Sequence, residues 1–278
     1  MTTRFRRLGE FTAMGILLLS VFATTAYMNH SLGKHWARTA NPFTLSLGDN
    51  VAPIWDAYLT KASSDWNASP AELTVLQTRI VPGGSKSGKC QPTKGRVEVC
   101  NSSLGGSTLG KASIWTTGNH ITQATVQVND YLLYGPFRFN TEAWRQYVIC
   151  QEIGHTLGLD HEDEDTLNPN VGTCMDYTED PSGTNTEPDQ VANTQPNYHD
   201  YEELEIIYGH VDSTNTVFNA VGTALNTLQA PMTGADVDTS DPSQWGKLVR
   251  RSVNGKNLLF ERDLGNGSKI FTFVLLAN

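Results

Sequence analysis

Residues 148–165 read VICQEIGHTLGLDHEDED, an apolar run that meets a glycine and then passes into a cluster of carboxylates. On a helix, Gln151 and His155 lie one turn apart on the same face, so their side chains converge on one point. Glu152 stands beside that face. Gly158 permits φ > 0, so the chain can leave the helix sharply and swing His161 back as a third donor. Two donors at a four-residue step and a third beyond a glycine form the spacing a metal centre needs. Gln151 is the unusual member, because its amide oxygen is a neutral, hard donor and poorer for zinc than imidazole.

Outward from this run, the helix is expected to start near Asn140-Thr141, with Asn140 as N-cap, and to end at about Leu157. A loop rich in Asp, Asn and Gly follows to about Pro196. The stretch 199–210, HDYEELEIIYGH, reads as a second amphipathic helix with Leu204, Ile207 and Tyr208 inward. Upstream, period-2 runs predict strands at 43–47, 73–81, 111–118 and 121–129, and apolar residues at three- and four-residue steps predict a helix over 51–66. Residues 212–245 lack a sustained period and read as linker or loop. Residues 246–278 alternate around Asn254-Gly255 and Asn266-Gly267, which predicts a small three-stranded meander as an appendage. No residue of this meander is assigned a chemical role. The class expected is α+β.

Downstream of the carboxylates, GTCMDYT (172–178) places Met175 and Tyr177 two residues apart. With these, the run from 148 to 177 resembles the zinc site of metzincin metalloproteases, with Gln151 where that family has its first ligand histidine. The order of strand, helix and strands before the run, and the helix after it, are similar to matrixins. The resemblance implies a metzincin-like catalytic domain over 36–211: a twisted mixed sheet, a motif helix, a methionine turn and a C-terminal helix. It implies Zn2+ held by Gln151, His155 and His161, with Tyr177 able to reach the metal as in astacin-like enzymes, Met175 beneath it and Gly158 shaping the exit. Glu152 is then the general base for peptide hydrolysis rather than a ligand. Three outcomes stay open at Gln151: weak ligation, replacement by Tyr177 or water, or an empty site. The function expected is an exported zinc-dependent endopeptidase acting on protein or peptide substrates. The alternative is an inactive, metzincin-like binding or structural protein.

The chain has 278 residues, 38% hydrophobic and 18% charged, the composition of an ordinary globular protein. Residues 1–29 place Arg4, Arg6 and Arg7 before an apolar run, which reads as a signal peptide or, with an uncleaved span, a membrane anchor. Four cysteines in an exported chain are expected to pair, and of three connectivities Cys90 with Cys100 and Cys150 with Cys174 is favoured, the second pair flanking both halves of the site. Net charge is −9, and no Lys or Arg lies between Arg145 and Lys247. That argues against nucleic acid as a partner, which needs clustered basic residues. The carboxylates Asp160, Glu162, Asp163, Glu164 and Asp165 are expected to be solvated, Ca2+ being the alternative because it takes such oxygen ligands. His30, His35, His120, His199 and His210 are given no role, although His199 or His210 could be recruited from the last helix.

Overall fold

The computed structural model describes residues 30–85, 89–166, 168–184, 190–218 and 237–277. The export signal or anchor over 1–29, and much of the linker over 212–245, lie outside the described residues. The elements, in order, are β1 (His35–Trp36), β2 (Phe43–Asn50), α1 (Asp56–Trp66), β3 (Leu76–Pro82), β4 (Val97–Ser102), β5 (Thr108–Thr117), β6 (His120–Asn129), α2 (Asp130–Tyr134), α3 (Glu142–Thr156), α4 (Tyr198–Tyr208), β7 (Lys247–Arg251), β8 (Asn257–Gly265) and β9 (Ser268–Leu276). The class is mixed α/β, with a mixed sheet and few helices. No helix among the described residues is long and apolar enough to cross a membrane.

All nine strands join one sheet, in the order β3-β2-β4-β6-β5-β9-β8-β7, with β1 pairing beside the start of β6. Strands β2, β3, β4, β6 and β1 run parallel, and β5, β9, β8 and β7 continue the sheet in antiparallel steps. The C-terminal meander is therefore not an appendage. Its turns fall at the expected Asn-Gly pairs, but β9 pairs with β5 along its length, from Thr108↔Leu276 to Thr117↔Ser268.

Strand periodicity decides what each face meets. Ala112 and Ile114 of β5, with Phe271, Phe273 and Leu275 of β9, join the main core formed against α1 and α3. The alternate residues Trp115 and Ile270 form a smaller cluster with Val237. Trp36, Trp55, Trp66 and Tyr147 are among the largest fully buried side chains and fill the space between helices and sheet.

Local chemistry sets the helix ends. Thr141, not Asn140, caps α3, its Oγ1 accepting from the Trp144 N–H at 3.2 Å. Asn140 instead accepts from Arg145 at 2.7 Å. Asn197 and Asp200 form a reciprocal capping box at α4. Both cysteine pairs are joined, Cys90 to Cys100 and Cys150 to Cys174, and the described residues contain no free cysteine. Two disulfides fit an oxidising compartment outside the cytoplasm.

Candidate active site on helix α3

Helix α3 is buried from Trp144 to Thr156, so its second half can carry polar groups only if they are paired or reserved for a ligand. Its close approaches explain its glycines. A Cβ on Gly154 would strike Met175 Sδ and Trp66, so Met175 lies directly against the motif helix. Gly158 has φ 103°, and a Cβ there would strike the Lys34 carbonyl. After that turn the chain doubles back: the Glu162 N–H donates to the Met175 carbonyl at 2.8 Å, and the Tyr177 N–H to the Asp163 carbonyl at 3.2 Å. His161 is thereby set beside Met175 and Tyr177, and its ring centroid lies 4.5 Å from that of His155. The Cys150–Cys174 bond joins α3 to the same turn.

The orientation of each polar group can be followed bond by bond. The Tyr147 hydroxyl donates to the Asp176 carbonyl at 3.1 Å, so it accepts from Gln151 Nε2, also at 3.1 Å. That fixes the Gln151 amide with Oε1 on the other side, buried and without a hydrogen-bond partner. His155 Nδ1 lies 3.0 Å from the Leu159 carbonyl, which only accepts. The proton therefore sits on Nδ1, and the Nε2 lone pair is free for an ion, the arrangement by which outer partners orient ligand histidines. His161 Nδ1 faces the Tyr177 hydroxyl at 2.6 Å and Asp160 Oδ1 at 3.2 Å. Tyr177 thus reaches the site as a partner of the His161 ring.

Burial sets the protonation of these groups. It lowers the pKa of His155 well below the usual histidine range, with His161 adding to the effect, and it lowers that of His161 despite Asp160. Both rings are held neutral, as ligation requires. Burial also raises the Glu152 carboxyl well above its ordinary value, against the pull of Lys111. Lys111 in turn is brought down to about 7, by burial first, with Asp238 and Glu152 opposing. Glu152 Oε2 has no hydrogen-bond partner among the described residues. Two neighbouring residues on α3 therefore hold orphaned buried oxygens, Gln151 Oε1 and Glu152 Oε2, and such atoms normally carry a heavy desolvation cost. The donor set and these orphans fit a small cation.

Several participants gave no sequence signal of a role. Phe273 of β9 lies flat on His155, with centroids 3.9 Å apart and planes 7° apart, and edge-on to His161 at 6.3 Å. Arg250 of β7 pairs with both oxygens of Asp160 and lies 3.4 Å from Glu164. Burial would raise the Asp160 carboxyl, yet bonds from His161 and Arg250 hold it far below the usual carboxylate range. The other loop carboxylates are engaged within the protein: Glu162 accepts from Asn197 at 3.0 Å, and Asp163 accepts from Asn168 and from the Asp165 N–H. His199 lies against His30, and His210 against His35.

No family model matches this chain, and no curated protein does. Among solved structures, one of myroilysin aligns over 65% of this chain and 98% of its own, with 14% identity and a TM-score of 0.35. A second structure of myroilysin aligns over 63% and 86%, with 13% identity and a TM-score of 0.32. Likeness at that level leaves the chemistry of the site to its own side chains.

Proposed function

We propose that this chain is a zinc-dependent endopeptidase of the metzincin type, in which Gln151 Oε1, His155 Nε2 and His161 Nε2 would hold the ion. The observation that carries this reading is the pair of orphaned buried oxygens on Gln151 and Glu152, beside a His155 whose proton is fixed on the far nitrogen. When bound, the ion supplies a Lewis acid that polarises a peptide carbonyl and acidifies water. The chain's own residues do the rest. Glu152 Oε2 takes the proton of the attacking water and returns it to the departing amine. Buried as it is, Glu152 favours its neutral form, so it serves as a base only with positive charge nearby, and Lys111 contributes some of that charge. Tyr177 and Asp160 hold the His161 ring, while Tyr147 holds the Gln151 amide.

The test is hydrolysis of a quenched peptide library by the zinc-loaded full chain and by Glu152→Gln, which keeps the shape and removes the base. The variant should lose about 10²–10⁴-fold in rate while keeping its zinc. Equal rates would overturn the assignment of Glu152.

One observation favours a second reading, a non-catalytic protein on the same frame. Gln151, Glu152 and His155 are 0%, 1% and 1% exposed, and Phe273 lies flat on His155, so a peptide has no route to them while β9 is seated. If the zinc-loaded parent cleaves nothing in the library, this reading takes over.

A further inference from the structure

A second cluster lies where β1 meets the start of β6, and none of its members belongs to the α3 site. The parallel register sets His35 of β1 opposite His120 of β6, so the two imidazoles leave the sheet side by side. The chain after α4 returns to the same place, because the Asp212 N–H donates to the Arg38 carbonyl at 2.8 Å and the Thr216 N–H to the Ala37 carbonyl at 2.8 Å. Three imidazole nitrogens then face one carboxylate oxygen. His35 Nε2 and His120 Nε2 each lie 3.2 Å from Asp212 Oδ1, and His210 Nε2 lies 3.6 Å from it. The ligand atoms of His35, His120 and Asp212 all lie within 4.8 Å of one another.

Hydrogen bonding alone accounts poorly for this crowding. Only His35 meets Oδ1 with hydrogen-bond geometry, while His120 and His210 crowd the same oxygen without it. The other oxygen, Oδ2, is already taken by Arg38, through Nη1 at 2.8 Å and the backbone N–H at 3.2 Å. Those bonds fix the carboxylate plane and turn Oδ1 toward the histidines, the task of an outer partner in a metal site. Zinc binds imidazole nitrogen and carboxylate oxygen at about 2.0–2.2 Å in a tetrahedron, which sets donor atoms about 3.3–3.5 Å apart. The observed separations from Oδ1 straddle that edge length.

We propose that His35, His120, His210 and Asp212 form a structural zinc site that clamps the β1 segment and the β5–β6 turn to the chain leaving α4. His35, His120 and Asp212 lie within reach of one ion, and His210, 3.6 Å from Asp212 Oδ1, would close the shell as a fourth donor and leave no position for substrate. Three imidazoles and one carboxylate suit zinc better than calcium or magnesium, which take oxygen ligands. The site is independent of any reading of α3.

Zinc content and competition titration against a chromophoric chelator, on the full chain stripped of metal, test this. The variants are His120→Ala, His210→Ala and the double variant; these side chains are 36% and 52% exposed, so their loss removes donors without opening the core, and circular dichroism checks the fold. The parent should take up one equivalent that the double variant lacks, whatever the α3 cluster binds in both. Each single variant should weaken that equivalent by at least the roughly 10–100-fold that loss of even an outer partner costs a metal site. Zinc should also raise the melting temperature of the parent more than that of the double variant. Equal stoichiometry and affinity across the four proteins, or a parent that takes up no zinc, would overturn the proposal.

Discussion

The Gln151 amide is turned, through the Tyr147 hydroxyl, by the Asp176 carbonyl. The four-residue step to His155 and the glycine at 158 announce convergent donors, and the structure sets the His161 ring centroid 4.5 Å from that of His155. The direction in which the amide points is another matter. It depends on a tyrosine hydroxyl whose own proton is committed to the Asp176 carbonyl, a contact that exists only after the turn carrying Met175 has closed. The same turn buries two carboxyls with a common pattern. Asp176 Oδ2 accepts from Val171 and Asn193, and Asp200 Oδ2 from Thr173 and Asn197, while Oδ1 of each has no hydrogen-bond partner. Burial raises each to about 7, against the pull of those bonds. The folded state therefore keeps protons that the unfolded state has lost above the ordinary Asp value, and the contribution of these two carboxyls to stability falls as pH rises from about 4 to 7, while the lowered histidines act in the opposite sense. With chelator present, the melting temperature of Asp200→Asn relative to the parent should therefore be higher at pH 8 than at pH 5, so that the slope of melting temperature against pH differs between the two proteins. An unchanged slope in the variant would show that Asp200 does not titrate in this range.

Among the elements, α3 owes its place to three ties: the Cys150–Cys174 bond, Met175 packed on Gly154, and the Trp66 indole donating to the Cys150 carbonyl at 3.2 Å. Replacing both Cys150 and Cys174 by Ser should destabilise the chain by about 2–5 kcal/mol, as loss of a native bond does in small exported domains. Denaturant melts of the parent and the double variant read this directly, and unchanged stability would mean that packing alone holds the turn. Strands β2, β3, β5 and β6 were legible from their alternation, as were α1 and α4 from their apolar faces, while the two-residue β1 was too short to show. Strand β4 was not. It lies in a short stretch between bridged cysteines, where VEVC alternates for too few residues to stand out, and its partners β2 and β6 are supplied by distant parts of the chain. The five-residue α2 was missed for the same shortage of periods.

At the scale of the whole molecule, the acidic stretch without a basic residue of its own is countered from outside. Arg250 reaches Asp160 and Glu164, while Lys256 and Arg138 reach Glu179. Two of these three cations belong to the C-terminal meander. Its strands were legible from the Asn-Gly turns, but nothing local says that β9 will settle on β5 and lay Phe273 over His155. If the chain cleaves peptides, this meander has to open more readily than the parallel strands, and hydrogen exchange should show its amides exchanging first, as a unit. Exchange of β9 only at the rate of global unfolding would exclude hydrolysis by that route. The pairing also has a consequence for biosynthesis. Strand β9 is translated after every strand it joins, so α3 and both histidines of its cluster leave the ribosome well before the strand that covers them. Until then β5 carries an open edge and the histidines face solvent. If the cluster holds an ion, the ion can be loaded onto the nascent chain without displacing anything, and docking of β9 then seals it in.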